Sequence, residues 1–377
     1  MSNSPWAVLF GGPSPEHEIS ILTGLQAERV LTESGASVVP IYWAPSGEWF
    51  QVPNGTEAID YLNGVPKKAL PIEVRLSGTP GLYVKGKKPL DVDAVLLTLH
   101  GGVGEGGGAA ALFSLLGIPA TGSSLFAGAV GMDKLAFGGL MHVSGVSSLP
   151  REALSQVVEP SFAGPYIVKP RFGGSSIGIE IAEDWETAKA IGKASAHLRV
   201  GAVVEPYRPE LVDLNIGFRT HPILQLTAVE KPLRGASGTG LYTYAEKYLS
   251  GGAGQAGFTS APREFPAVLA DGVAEKADHL ARRVAEVTAL TGICRVDLLL
   301  DENTGELFVN EVNSIPGALS LYLWAPKAAA ATVLKDALVE ARDKRFALPS
   351  SGFGSGAALR AAGGIAGKLV GLDGPRG

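Results

Sequence analysis

Three oxygen-bearing side chains, Asp297, Glu311 and Asn313, are spaced so that two short strands could bring them to one site. Carboxylate and amide oxygens suit Mg²⁺, which takes few protein ligands and adds waters and phosphate oxygens. Arg295 lies two residues before Asp297, so both side chains point to the same face of an extended strand. A guanidinium there could hold a developing negative charge. The sequence therefore predicts a magnesium site beside an anion-stabilising group.

A β-hairpin would position these groups. Apolar runs at 296–300 and 307–312 flank the polar stretch 301–306, which contains Asn303 and Gly305. The pattern is typical of two antiparallel strands joined by a tight turn.

The register of this hairpin decides which side chains meet. If Asp301 pairs with Leu307, Asp297 lies directly opposite Glu311, and the two carboxylates repel one another. A bound cation removes that repulsion. The alternative is a hairpin with a solvated acidic face, which explains Arg295 less well.

A second candidate site begins at Lys169, at the end of a predicted strand over 166–169. The glycine- and serine-rich stretch 171–178 follows it. Backbone N–H groups of such a loop can bind phosphates, and a lysine adds positive charge. The stretch is not a Walker loop, because no Gly-Lys-Ser/Thr follows and no helix opens there. A plain hairpin loop is the alternative.

The predicted helix 133–142 carries Lys134 in its first turn. A cation there opposes the helix dipole, which indicates another use for it.

The N-terminal part has the pattern of a doubly wound α/β unit. A strand at 6–10 runs into a glycine turn and a helix over 16–34, with Glu16 and Glu18 in the first helical turn. Both carboxylates complement the helix dipole, and this structural role alone would account for either of them.

After a second predicted strand at 37–43, a third and apolar strand over 93–99 ends at His100 and the glycine-rich stretch 101–108. Such glycines let the backbone approach a ligand closely. The alternative is a floppy surface loop. Because parallel sheets bind ligands at the carboxyl ends of their strands, the sequence favours a binding loop.

Composition sets the outer bounds. The chain has 377 residues, a net charge of -5 and no basic blocks, so nucleic acid is an unexpected partner. A single cysteine, Cys294, excludes an internal disulfide framework and is expected to pack as a small apolar residue. The N-terminal apolar run lacks a basic region before it, and no run approaches the roughly 20 residues of a membrane span. We therefore expect a cytoplasmic protein.

Two segments near the C-terminal half differ from the rest. The stretch 241–250 is rich in tyrosine, and the glycine-rich stretch 251–257 after it is expected to be a mobile lid. The tail from residue 350 is rich in glycine and alanine, with a predicted short helix at 357–370.

Taken together, these pieces resemble the D-alanine–D-alanine ligases of the ATP-grasp superfamily. The resemblance covers about residues 6–345 and rests on segments that occur in family order: VLFGGPSPEHEIS, HGGVGEGG with IPATGSS, MDK, VKPRFGGSSIGI, VVEPY, YTYAEKY, RVDLLLD and NEVNSIPG.

The resemblance implies an ATP-grasp fold of mixed α/β and α+β class. Its expected domains are a doubly wound α/β domain at 1–125, a central subdomain at 126–212, a catalytic subdomain at 213–348 and a tail at 349–377. It also implies that one D-alanine is activated as an acyl phosphate and attacked by the amine of a second. The expected setting is peptidoglycan synthesis for the cell wall. The expected cofactors are ATP and two Mg²⁺ ions, with Mn²⁺ possible, and the expected assembly is a homodimer.

The resemblance also implies roles for single residues. On the nucleotide side, the expected metal ligands are Asp297, Glu311 and Asn313, and the expected ATP contacts are Lys134, Lys169, Ser175, Ser176, Glu205, Tyr207, Asp213 and Lys247. On the substrate side, the expected residues are Glu18 for the first ammonium, linked to Ser175 and Tyr248, His100 by the first carboxylate, Arg295 and Gly317 for the oxyanion, and Tyr322 for the acceptor.

Three departures from the family pattern concern the second substrate. Glu105-Gly106-Gly107 stands where the family has Glu-Asp-Gly, and Ala110-Ala111 replaces a polar Gln-Gly pair. Tyr322 stands where the family has the serine that binds the acceptor's carboxylate. A ligase with the same mechanism and another acceptor, serving specialised metabolism, is therefore an alternative.

Two functions from other protein classes fit the sequence less well. A non-catalytic nucleotide-binding module would not need an oxyanion donor such as Arg295. An NAD-dependent Rossmann enzyme lacks its Gly-x-Gly-x-x-Gly turn after the first strand.

Overall fold

The computed structural model describes residues 4–85, 89–233, 262–344, 356–362 and 365–369. The predicted lid segments lie outside the described residues, and so do Lys247 and Tyr248. Contacts divide the chain into two units, Met1–Arg345 and Phe346–Gly377. The expected three-domain division remains a prediction.

Strands and helices alternate through the first unit. Its described strands are β1 (Trp6–Gly11), β2 (Val38–Trp43), β3 (Trp49–Gln51), β4 (Leu70–Arg75), β5 (Gly81–Val84), β6 (Val95–Leu97), β7 (Glu152–Ala153), β8 (Tyr166–Pro170), β9 (Glu180–Ala182), β10 (Ala202–Pro206), β11 (Val212–Arg219), β12 (Gln225–Leu226), β13 (Lys231–Pro232), β14 (Arg263–Glu264), β15 (Ile293–Asp301) and β16 (Glu306–Asn313). Its described α-helices are α1 (His17–Glu33), α2 (Ala109–Leu116), α3 (Leu125–Met132), α4 (Lys134–Val143), α5 (Trp185–Ala194), α6 (Val273–Thr288), α7 (Leu321–Trp324) and α8 (Ala330–Asp343). In the second unit the described helices are α9 (Ala357–Ala362) and α10 (Ala366–Leu369), within the stretch predicted to form one short helix.

The first sheet has six strands in the order β5-β4-β3-β2-β1-β6. Its β6, β1 and β2 are parallel, as the sequence predicts, and β1 is apolar because it is buried on both faces. The other strands add to the edge as an antiparallel meander, which the sequence analysis missed. Helix α1 follows β1 through a glycine turn and packs on this sheet.

Besides a two-stranded sheet of β13 and β14, the described residues form two antiparallel four-stranded sheets. One has the order β7-β10-β8-β9, and the glycine- and serine-rich stretch 171–178, called the serine loop below, lies between β8 and β9. The other has the order β12-β11-β15-β16 and contains the predicted hairpin. The hairpin brings Asp297 opposite Glu311, as predicted.

The strand pairing near the turn differs from the prediction. Asp301 pairs with Glu306 and not with Leu307, and the register shifts by one residue between Asp297 and Leu298. The shift is a β-bulge that leaves Asn310 as the extra residue of β16. The bulge restores the predicted pairing at the site.

The glycine-rich stretch after β6 is not a floppy loop. Residues Gly104–Gly108 form a turn of π-helix that continues into α2. Gly107 has φ 93° and lies so close to the Leu125 backbone that a Cβ would come within 2.6 Å of the Leu125 carbonyl oxygen. The stretch is therefore fixed by packing against α3.

The apolar side chains form three clusters, one for each large sheet. The cluster of the first sheet also takes in Trp324, Leu334 and Leu338 from the C-terminal end of the unit. Cys294 is fully buried in the cluster of the hairpin sheet, as its predicted apolar role requires. Within the described residues no helix is long and apolar enough to cross a bilayer.

Two helical glycines give a matched test of this packing. Gly24 on α1 faces β1 so closely that an added Cβ would overlap the Phe10 side chain, whereas Gly139 on α4 is exposed with open space around it. We expect Gly24→Ala to lower the free energy of unfolding by about 1–3 kcal/mol. Gly139→Ala should raise it by roughly 0.5–1 kcal/mol, because alanine favours the helix.

Denaturant unfolding of both variants checks the prediction. Equal midpoints for Gly24→Ala and the parent chain would show that α1 does not pack this closely on β1.

Candidate active site

A cavity of 230 Å³ lies where the three large sheets of the first unit meet. The predicted site residues that line it are His100, Lys134, Lys169, Ser175, Ser176, Glu205, Tyr207, Asp213, Arg295, Asp297, Glu311, Asn313, Gly317 and Tyr322. They come from segments more than 200 residues apart in the sequence. Of the predicted residues that the structure describes, Glu18 is the one placed elsewhere.

The hairpin carboxylates form the acidic side of the cavity. The Arg295 guanidinium binds both oxygens of Asp297, at 2.6 and 2.7 Å, and the Asn313 amide donates to Asp297 at 3.0 Å. Burial alone would lower the pKa of Arg295, but the attraction of Asp297 outweighs it and raises that pKa. The guanidinium therefore stays charged.

The donor set fits Mg²⁺ and no metal that needs a full protein cage. Within the described part of the chain, no group of three or more His, Cys, Asp and Glu side chains could hold a metal ion. Asp297 and Glu311 supply two carboxylates side by side, which is what Mg²⁺ uses when phosphates and waters complete its octahedron.

A buried ion cluster lies next to the bulge. Lys169 Nζ lies 2.8 Å from Glu205 Oε2, and Arg151 Nε lies 3.2 Å from the other oxygen of that carboxylate. Burial would raise the pKa of Glu205, but the two cations outweigh it and the pKa is lowered. The bulge residue Asn310 joins the cluster, since its carbonyl accepts from Arg151 at 2.9 Å and its side chain from Lys169 at 3.4 Å.

Lys134 extends the positive charge toward the hairpin carboxylate Glu311. Its ammonium lies 3.8 Å from Glu311 and also donates to the Gly173 carbonyl of the serine loop. Burial lowers the pKa of Lys134. Asp133 caps α4 through the Leu135 and Ala136 amides, so α4 begins with its lysine inside the cavity. The contacts of Lys134 with Glu311 and Gly173 therefore account for a cation in the first turn of a helix.

The serine loop reaches the N-terminus of α1. Ser175 and Ser176 both adopt left-handed backbone conformations, with φ of 53° and 59°. The Ser175 hydroxyl hydrogen-bonds to the carboxylate of Glu16, which is 9% exposed and lines the cavity.

The prediction that Glu18 lies in the site is wrong. Glu18 is exposed on the first turn of α1, whereas Glu16, just before the helix, turns into the cavity. Two residues along a helix differ by about 200° in direction, so only one of the pair can face the sheet.

His100 is buried and has protein partners on both ring nitrogens. Nδ1 lies 2.8 Å from the Ile315 carbonyl, and Nε2 lies 2.8 Å from the Thr23 hydroxyl. A carbonyl only accepts, so Nδ1 carries the proton and Nε2 accepts from Thr23. Burial lowers the pKa of His100 to about 4, so the ring is neutral near pH 7.

Glu105 binds the backbone N–H of the same residue, Ile315. Its carboxylate accepts from the Gly101 amide at 2.9 Å and from the Ile315 amide at 3.2 Å. Burial and the neighbouring Glu16 charge raise the pKa of Glu105 to about 7. The backbone N–H and C=O of Ile315 are therefore both bound by side chains of the loop after β6.

The turn after Gly317 is strained. Ala318, Leu319 and Ser320 all have positive φ, between 47° and 49°, a conformation that side chains other than glycine rarely adopt. The Ala318 amide donates to Thr23 at 3.2 Å. One threonine on α1 therefore binds both His100 and the strained turn.

The far end of the cavity carries a second cluster that the sequence analysis did not find. The Tyr322 hydroxyl donates to Glu230 at 3.0 Å, Arg263 forms an ion pair with Glu230 at 3.1 Å, and the same guanidinium lies 4.5 Å from the centre of the Tyr322 ring. Glu230 is 2% exposed.

The acidic and basic residues Glu16, Glu105, Glu230 and Arg263 line the cavity and were not assigned to the site by the sequence analysis. Glu16 and Glu105 stood in the quoted segments, and choosing Glu16 over Glu18 required only the direction of each side chain at the start of α1. Glu230 forms an isolated bridge just before β13, and Arg263 lies on the two-residue strand β14, so no local periodic signal pointed to them.

Comparison with known proteins agrees with this geometry. Residues 6–123 match the family described as D-ala D-ala ligase N-terminus, and residues 127–341 match D-ala D-ala ligase C-terminus. A D-alanine--D-alanine ligase of Mycolicibacterium vanbaalenii is 32% identical over 350 residues, which is 85% of this chain and 91% of that protein. One from Chlorobium limicola is 26% identical, covering 86% of this chain and 92% of the other.

Solved structures share the fold. D-alanyl-alanine synthetase A from Vibrio cholerae superposes with a TM-score of 0.75 at 20% identity, over 91% of this chain and 99% of the other. The VanG D-Ala:D-Ser ligase from Enterococcus faecalis superposes with a TM-score of 0.72 at 22% identity, over 90% of this chain and all of the other. With both family halves matched in order, the chain belongs to the D-alanine–D-alanine ligase family and has its α/β ATP-grasp fold.

Proposed function

We propose that this chain is an ATP-dependent, ADP-forming ligase that joins two D-alanines to D-alanyl-D-alanine. The observation that carries the proposal is the single cavity in which buried lysines and paired carboxylates face Glu16, Arg295 and the Gly317 turn. Cations and metal ligands suit ATP phosphates, and the other groups suit an amino acid and a developing oxyanion.

The reaction has two steps. An oxygen of the first D-alanine's carboxylate attacks the γ-phosphorus of ATP, and ADP leaves. The amine of the second D-alanine then attacks the acyl carbon, loses a proton, and displaces inorganic phosphate. Both steps place negative charge on oxygens that need nearby cations or N–H donors.

The residues of this chain divide that work. Lys134, Lys169, Ser175 and Ser176 bind phosphate oxygens, and Tyr207, Asp213 and the buried Glu205 border the nucleoside. Asp297, Glu311 and Asn313 would hold Mg²⁺ ions, which neutralise phosphate charge when bound. Arg295 and the Gly317 amide stabilise the oxyanion of the tetrahedral intermediate.

Glu16 takes the role expected of Glu18 and binds the ammonium of the first substrate. Ser175 orients that carboxylate through their hydrogen bond. His100 has no ring nitrogen left for substrate, so we assign it a positioning role, holding the Ile315–Gly317 turn. Tyr322 and its neighbours border the acceptor.

A related proposal keeps the mechanism and changes the acceptor. It is favoured by Tyr322, which stands where the family has a carboxylate-binding serine and which lines the cavity. The cellular setting we propose is peptidoglycan synthesis in the cytoplasm, by a homodimer.

The direct test is turnover by the full chain. With ATP, Mg²⁺ and D-alanine, we expect ADP and D-alanyl-D-alanine in equal amounts, followed by coupled ADP detection and mass spectrometry. L-alanine alone should give neither product. Absence of ADP with every pair of D-amino acids would contradict the proposed function.

The metal ligands give a second prediction. Glu311→Gln should lower kcat at least about a hundredfold, because one of the paired carboxylates is lost while the amide keeps the shape. The matched control is Glu306→Gln, an exposed glutamate on the same strand, which should keep full activity.

Melting curves with and without Mg²⁺ and ATP separate folding from binding. Glu311→Gln should melt like the parent chain alone and lose the shift that Mg²⁺–ATP produces. Full activity at saturating Mg²⁺ would remove Glu311 from the metal site.

The positioning network gives a third prediction. Thr23→Val keeps the shape of a buried side chain but removes the hydroxyl that binds His100 and the Ala318 amide. We expect kcat to fall by roughly ten- to a hundredfold, because the oxyanion turn loses its anchor, with the KM for ATP nearly unchanged.

The matched control is Thr32→Val on the exposed side of the same helix. If Thr23→Val changed only the melting temperature and not kcat, the network would be structural and not part of catalysis.

A further inference from the structure

A row of side chains crosses the hairpin sheet and ends in the second cluster. Glu311 lies opposite Asp297, Asp297 lies opposite Asn215, and Asn215 forms a backbone bridge with Glu230. Residues directly opposite one another share a face of the sheet. Glu230 therefore belongs to the same cavity face as the metal ligands, two strand spacings or about 10 Å from Asp297.

The hydrogen bond between Tyr322 and Glu230 has a defined donor and acceptor. The Tyr322 phenol has one proton and gives it to Glu230, which as a carboxylate can only accept. Burial and the Glu230 charge raise the pKa of Tyr322, so the phenol stays protonated. Tyr322 cannot then donate to the carboxylate of an acceptor, as a serine at this position could.

Glu230 is fixed from three sides. The Asn215 amide donates to it at 3.0 Å, Tyr322 at 3.0 Å, and Arg263 pairs with it at 3.1 Å. Arg263 is held over the Tyr322 ring by the same arrangement. Glu230 and Tyr322 both line the cavity beyond Arg295, so its wall there presents two acceptor groups, a carboxylate and a phenol oxygen, held by these contacts.

The charges of this wall are already balanced. Arg263 neutralises Glu230, and Arg295 remains close by to attract an acceptor's carboxylate. A neutral donor group gains a hydrogen bond here, whereas an ammonium group would meet two guanidinium groups. A methyl group gains nothing and leaves the acceptors without a new partner.

We propose that Glu230, with Tyr322, is a specificity-determining residue of the acceptor subsite, and that the subsite selects a D-amino acid whose side chain carries a neutral hydrogen-bond donor such as a hydroxyl. The inference rests on the proposed function, because it takes the ligase reaction and the donor end at Glu16 as given. It deepens the related proposal that keeps the mechanism and changes the acceptor, and it names the chemical class that this acceptor subsite would prefer.

An isosteric pair of acceptors tests it. With D-alanine as donor, ATP and Mg²⁺, we compare D-serine with D-2-aminobutyrate, which has a methyl in place of the hydroxyl, and identify each mixed dipeptide by mass spectrometry. We expect kcat/KM for D-serine to exceed that for D-2-aminobutyrate by at least about tenfold. A ratio near one, with turnover of both, overturns the inference and leaves the proposed function standing.

Single substitutions test which side chains cause the preference for D-serine over D-2-aminobutyrate. Glu230→Gln and Tyr322→Phe should each bring the ratio of the two acceptors toward one. Glu264→Gln, on β14 beside Arg263 but not among the cavity-lining residues, should leave it unchanged. If Glu230→Gln does not fold, Tyr322→Phe carries the test, since it removes one hydroxyl and keeps the ring over Arg263.

The outcomes separate two kinds of failure. An equal loss with both acceptors in either variant would mean that the cluster acts on the common amine or on the fold, and the specificity assignment would be wrong. No ADP with any pair of amino acids would overturn the ligase function as well.

Discussion

The geometry of the cavity depends on the way the backbone of one residue, Ile315, is held. Ile315 follows the hairpin that carries Asp297 and Glu311, yet its N–H and C=O are bound by Glu105 and His100 from the loop after β6. Thr23 adds a third bond, to the Ala318 amide. Because three consecutive residues of the turn have positive φ, the turn would relax without these contacts. Groups next to the first sheet therefore fix the backbone of the turn that follows β16.

The same arrangement explains why so many charges can be buried. Glu205 lies between Lys169 and Arg151, Asp297 is bound by Arg295, and Glu230 by Arg263. An unpaired buried charge is strongly unfavourable, and a pair with good hydrogen bonds roughly compensates its desolvation. These pairs add little net stability, and their value is that each charge is already oriented when substrate arrives.

The sequence alone identified the family, the main strands and helices, and most of the cavity. It predicted Asp297 opposite Glu311, although the pairing at the turn was wrong by one residue and the bulge at Asn310 made up the difference. A bulge has no clear local signal, because it is set by the packing of the whole sheet. Glu18 was chosen over Glu16 because both carboxylates suit a helix N-terminus and only the fold decides which one turns inward. Glu230 and Arg263 could not be found, since contacts between distant short strands fix their positions.

The helix α8 has a consequence for how the protein is made. Its Leu334 and Leu338 lie in the same buried cluster as Val8 and Leu9 of β1, more than 300 residues earlier. Chains emerge from the ribosome N-terminus first, and domains generally fold as they appear. Here the earliest sheet stays incomplete until nearly the whole first unit has been synthesised, so its apolar face remains open during translation. Completing that buried cluster brings the first strand and the last helix of the unit together in one late step.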